Sequence, residues 1–167
     1  ASGQLTRTTT SSRFQYIRMP LVLATPGVWN VGGGGELVIS GELQALGFTK
    51  VGAGTLRLKD PKILGPVAFQ GGINWAHGPY LGTLGGPVSV GTSGDFTLLL
   101  LADAAAGSVG SNYSVGPRGE AQFLDSAVLS GLSMTGGRLS TSKSLVMRPA
   151  ATITAAPGRV LRGVVRA

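Results

Sequence analysis

Few residues in this 167-residue chain can do acid–base or metal chemistry: one histidine, His77, seven carboxylates and no cysteine. A Ser/His/Asp relay would have to use His77 with Asp95 or Asp125, and no nucleophile-elbow sequence accompanies them. Centres built on several histidines or on thiolates are excluded by composition, so carboxylates would have to supply the remaining metal ligands. Two carboxylate pairs, Glu36 with Glu42 and Glu120 with Asp125, could in principle serve a glycosidase or lyase. On a strand the first pair falls on one face, with Gly41 intervening, and the second on opposite faces. Both are read as ordinary solvated acids. Gly32 to Gly35 and Gly52-Ala53-Gly54 could cradle a phosphate, but neither opens a helical pattern and the P-loop Lys-Ser/Thr is missing. The expectation is a protein that is not an enzyme and uses no cofactor and no metal.

What remains is chemistry of contact. Trp75, His77 and Tyr80 share a glycine- and proline-rich stretch, residues 71–87, which reads as a loop. Such aromatics can stack on a sugar or base, or fill a core or a subunit interface, where aromatics are enriched. The net charge is +7 and is unevenly placed. Residues 1–35 hold Arg7, Arg13 and Arg18 and no acid, and residues 126–167 hold six bases and no acid, with Arg159, Arg162 and Arg166 last. Basic ends on a near-neutral body suggest arms that dock on an acidic surface. The partner-binding candidates are therefore Arg7, Arg13, Arg18, Trp75, Tyr80, Arg159, Arg162 and Arg166.

Two other partner classes fit less well. Aromatic residues are 6% of the chain and do not interleave with the bases, which argues against nucleic acid. The densest apolar run, Phe96 to Ala106, is too short to span a bilayer as a helix and contains Asp103.

The elements that must position these residues are strands. Glycine occupies 28 positions, far above ordinary usage of about 7%. A helical protein would be weakened by that load, since an interior Gly costs about 1 kcal/mol relative to Ala. Short strands joined by tight turns accept it. Residues 1–13, rich in Ser and Thr, read as an extended arm, residues 14–155 as a single β domain, and residues 156–167 as a basic strand or tail. Gly54 to Lys59 alternates cleanly, with Leu56 and Leu58 on one side and Arg57 and Lys59 on the other. Asp60-Pro61 ends that strand, and Ala102 to Ala106 suggests a short helical turn. Roughly a dozen short strands at this spacing predict an all-β fold, β-helix-like or a sandwich or barrel, with extended terminal arms.

Lys50 to Leu58 reads K-x-G-x-G-T-L-x-L, with a weaker echo at Gly136 to Ser140. The stretch resembles the strand repeat of autotransporter passenger domains, which are parallel β-helices. The resemblance implies that the glycines turn a corner and that Thr55-Leu56-Arg57-Leu58 enters a stacked rung. In style, a cysteine-free β chain with a Thr/Ser arm and basic extensions also resembles phage virion accessory proteins, such as capsid cement or decoration proteins. That resemblance implies a virion location, a homotrimer, and basic arms bound to a major capsid protein or another virion protein. The functional expectation is accordingly a phage capsid cement or decoration protein that stabilises the shell. The alternative is a secreted, cell-surface β-helical adhesin or glycan-binding module that makes contact through Trp75 and Tyr80.

Overall fold

The computed structural model describes residues 5–7, 14–77, 84, 86–102, 111–156 and 160–166. They form a parallel β-helix, with no helical element among the described residues. The backbone winds through three columns of stacked strands. The first column holds β1 (Leu5–Arg7), β4 (Gly27–Val31), β7 (Phe48–Val51), β10 (Val67–Gln70), β12 (Val88–Val90) and β14 (Ser111–Val115). The second holds β2 (Phe14–Ile17), β5 (Glu36–Ile39), β8 (Thr55–Lys59), β11 (Gly72–His77), β13 (Thr97–Ala102) and β15 (Gly119–Phe123). The third is shorter, with β3 (Leu21–Leu23), β6 (Leu43–Ala45) and β9 (Pro61–Ile63), and Leu84 continues it by a bridge to Ile63. Every pairing is parallel. Near the C-terminus β16 (Ala127–Met134) and β17 (Arg138–Ala155) run through the corners without interruption. They join the first two columns into one 15-stranded sheet, in which β18 (Val160–Arg166) lies off the main path and pairs with β17.

The alternation seen in the sequence decides which residues face inward. Leu56 and Leu58 of β8 are buried over Leu37 and Ile39 of β5, while Arg57 faces out. Fully enclosed side chains include Trp29, Phe69, Leu43, Ile63, Leu99 and Leu139. Within the first column Trp29 stacks flat on Phe48, with ring centres 4.1 Å apart, and Phe69 meets Phe48 edge-on at 5.7 Å. Such pairs add about 0.5–1.5 kcal/mol beyond simple burial.

Corners are where the glycines matter. At Gly72, φ is +67° and a Cβ would collide with the Gly54 carbonyl and lie 2.7 Å from the Lys50 ammonium. Only glycine fits both the backbone angle and the space. Asp60 provides the corner between β8 and β9 with φ of 50°, the one positive φ outside glycine among the described residues. Asp/Asn are the side chains that tolerate this region best.

The β-helix form is the outcome among the architectures expected, and Lys50 to Leu58 turns its corner and enters its rung as the resemblance implies. The loop expected over residues 71–87 is corrected by β11, which occupies Gly72–His77. Its inward residues are Asn74 and Ala76, and its outward ones include Ile73 and Trp75. The period-2 signal was present but inverted in polarity, so it did not read as a strand. Within the expected N-terminal arm, Leu5–Arg7 forms β1 and pairs with β4. The remaining residues of 1–13 lie outside the described residues, as do 103–106 of the expected helical turn. The C-terminal stretch forms β18.

Candidate functional site

Among the described residues the buried polar side chains other than the Tyr113 phenol gather at one corner. They are Lys50, Asn74 and Thr97, each with 0% exposure. They stand at successive levels where the first column bends into the second. The Lys50 Nζ donates to the carbonyls of Gly52, Gly54 and Gly71, each at 2.6 Å. An ammonium has three protons, and all three are used. Burial pushes the Lys50 pKa down from 10.5 to about 8. Asn74 continues the polar line, its Nδ2 lying 3.3 Å from the carbonyls of Gly71, Gly72 and Leu98. Thr97 closes it by donating to the Asp95 carbonyl at 3.1 Å. Contacts between levels span 21 residues for Lys50 and 24 for Asn74.

The outer face of the second column carries the large contact residues. Trp75 stands on β11 in register with Arg57 and Leu100. The Arg57 guanidinium lies over its ring at 5.1 Å and also pairs with Glu36 on β5. Three levels from Trp75, on the N-terminal rung, Phe14 and Tyr16 are 59% and 54% exposed, and Phe96, beside β13, is 59% exposed. Arg18 sits 5.4 Å from the Tyr16 ring centre.

The outer face of the first column is different in kind. Thr49, Ala68, Ser89, Ser114, Ser133 and Thr154 follow one another in strict register. They line an uncharged groove of about 520 Å³. The aromatic rings beneath it, Phe48 and Tyr113, belong to the interior. Burial raises the Tyr113 pKa well above its ordinary value, so the phenol stays protonated.

Three of the acids considered in the sequence are engaged in ion pairs. Glu36 pairs with Arg57, Glu120 with Arg138 at 3.7 Å, and Asp125 with Lys143. Each pair joins one level to the next. His77 ends β11 with Lys59 and Ala102 as its register neighbours, neither a carboxylate. Asp125, one of the two acids considered for a relay with His77, is engaged by Lys143. Among the described residues no three His, Asp or Glu side chains gather to hold a metal ion.

The partner-binding candidates separate rather than converge. Trp75 lies mid-stack on the second column. Arg18 is exposed just after β2 at the N-terminal end. Arg7 belongs to β1, and Arg162 and Arg166 to β18, at opposite ends of the stack. Arg13, Tyr80 and Arg159 lie outside the described residues. Sequence reasoning missed Lys50 as a buried group, reading it only as the first residue of the K-x-G-x-G-T-L-x-L stretch. The available signal was its position two residues before Gly52, on the inward phase of β7. Compared with models of protein families, with curated proteins and with solved structures, the chain matches none.

Proposed function

We propose that this chain is a structural β-helix of the adhesin type, a rigid extracellular element that presents a contact surface and performs no catalysis. The observation that carries this reading is the behaviour of Lys50 to Leu58. Its glycines make the corner and its T-L-x-L segment forms β8, as in the passenger-domain repeat that it resembles. The contact surface is the outer face of the second column around Trp75, Ile73 and Phe96, where aromatic and aliphatic groups stand beside the Arg57 guanidinium.

One observation favours the second reading, a trimeric phage decoration protein. Phe14, Tyr16 and Phe96 leave apolar surface exposed on a chain with only 13% charged residues, and such surface is commonly covered by other subunits. A single set of measurements separates the two. The purified chain is applied to an immobilised-glycan array and sized by chromatography with light scattering. Saturable glycan binding by a monomer, lost in a folded Trp75→Ala variant, supports the adhesin reading. A stable trimer that binds capsid shells and no glycan overturns it.

A further inference from the structure

The buried ammonium of Lys50 needs a reason, because an apolar side chain would fill the same place. The alternation of the strands supplies that reason. In β5 and β8, Leu37 and Ile39 lie against Leu56 and Leu58. A slip by one residue would turn the apolar set outward, but a slip by two would place apolar on apolar again. The first column has the same degeneracy: Phe48 and Lys50 of β7 pair with Val67 and Phe69 of β10. Hydrophobic burial alone therefore does not choose between registers two residues apart.

Lys50 does choose. Two of its acceptors, Gly52 O and Gly54 O, belong to the corner after β7, and the third, Gly71 O, belongs to the corner after β10. Sliding β10 past β7 by two residues moves Gly71 by about 7 Å. The ammonium would then keep a free donor in a dry interior, which is costly. Gly72 leaves open the space that Nζ fills, since a Cβ there would lie 2.7 Å from it. The side chains in register with Lys50 are Trp29 and Phe69, and Asn74 shares Gly71 O. The titratable groups on the adjoining strands are Glu36 of β5, Arg57 and Lys59 of β8, and His77 of β11. All four lie on the outward phase, opposite the buried leucines and Ala76. No counter-charge among the described residues meets the ammonium.

We propose that protonated Lys50 is a register lock: it holds β7 and β10 in one alignment, and the lock loosens when the ammonium loses its proton. A neutral amine has two donors for three carbonyls, so the tie between the two levels is the bond that can be released. The lock works by specificity rather than by net stabilisation, as a buried polar residue does when it fixes the register of a coiled coil.

The chain has no cysteine, so disulfide trapping reads register directly. Thr49→Cys with Ala68→Cys reports the observed alignment, and Thr49→Cys with Gln70→Cys reports the alignment slipped by two. Adjacent parallel strands bring such pairs within disulfide reach. In the otherwise native chain at pH 7, the first pair should cross-link and the second should give only a trace. Adding Lys50→Met should raise the slipped product about tenfold relative to the in-register product, equivalent to about 1.4 kcal/mol of lost discrimination. A folded Lys50→Met chain with an unchanged ratio overturns the proposal. If that variant fails to fold, the native chain decides. A solvent-protected Lys50 ε-ammonium, seen by nitrogen NMR, should titrate near pH 8, and the slipped ratio should rise between pH 7 and 9.5. An ε-group that titrates at the ordinary lysine value of 10.5, or a ratio flat with pH, overturns it.

Discussion

The corner that holds Lys50 and the apolar seam under β5 and β8 are built from neighbouring strands, yet they contribute different things. The seam of Leu37, Ile39, Leu56 and Leu58 stabilises by removing apolar area from water, at roughly 25 cal/mol per Å². It is indifferent to register in steps of two. The corner buries a cation and three carbonyls, which costs solvation energy, and it tolerates one alignment only. Stability and uniqueness are thus carried by different residues a few ångströms apart.

The strongest way to break this comparison is at the corner itself. Gly72→Val combines a disfavoured positive φ with a collision against the Gly54 carbonyl and Lys50 Nζ. It is expected to cost about 4 kcal/mol or more, seen as a large drop in the urea midpoint. On the apolar side, Leu58→Ala leaves a cavity at a fully enclosed site and should cost about 3 kcal/mol. Unlike a corner change, it should leave the cross-linking register intact.

The charge itself gives a subtler effect. Folded Lys50 sheds its proton near pH 8 and the unfolded chain near 10.5. Between these values the unfolded state binds more protons, so the Lys50 contribution to stability rises with pH across that window. Below pH 8 the ammonium is a constant burden. Lys50→Met should therefore be as stable as the native chain or more so at pH 7, with the difference shrinking toward pH 10.5. Urea melts across this range test it, and a difference that grows with pH would contradict the assignment. The smallest effect belongs to the outer face. Arg57→Ala removes a partly exposed ion pair and a ring contact and should cost about 1 kcal/mol.

The two outer faces extend the lesson. On the first column the outward ladder from Thr49 through Ala68 and Ser133 to Thr154 is small and uncharged. On the second the outward positions include Tyr16, Ile73, Trp75 and Leu100. The backbone ladder is indifferent to which set it carries, so the outward residues are where contact chemistry can differ between faces without disturbing the stack.

Much of the fold was legible in residue order. β8 follows from the alternation of Gly54 to Lys59, and its corner from Gly52 and Gly54. β11 was hidden because its inward side chains, Asn74 and Ala76, are not the large aliphatics that mark a buried face. The candidate arginines were found by composition, but composition has no distances, and the stack places Arg7 and Arg18 at one end and Arg162 and Arg166 at the other. The burial of Lys50 was not legible, since nothing local shows that a carbonyl 21 residues away will arrive beside it.

The sequence by itself determined that the chain is made of short strands, that glycine corners separate them, and, in β8, which side chains point inward. These are local properties, set by a period of two and by the backbone angles that glycine permits. Only the tertiary structure decided that the strands stack in parallel columns and that Glu36, Glu120 and Asp125 meet bases one level on. It alone decided that three glycine carbonyls converge on one ammonium. Those outcomes depend on which turn lies above which, and that alignment is fixed by contacts formed only when the whole helix is wound.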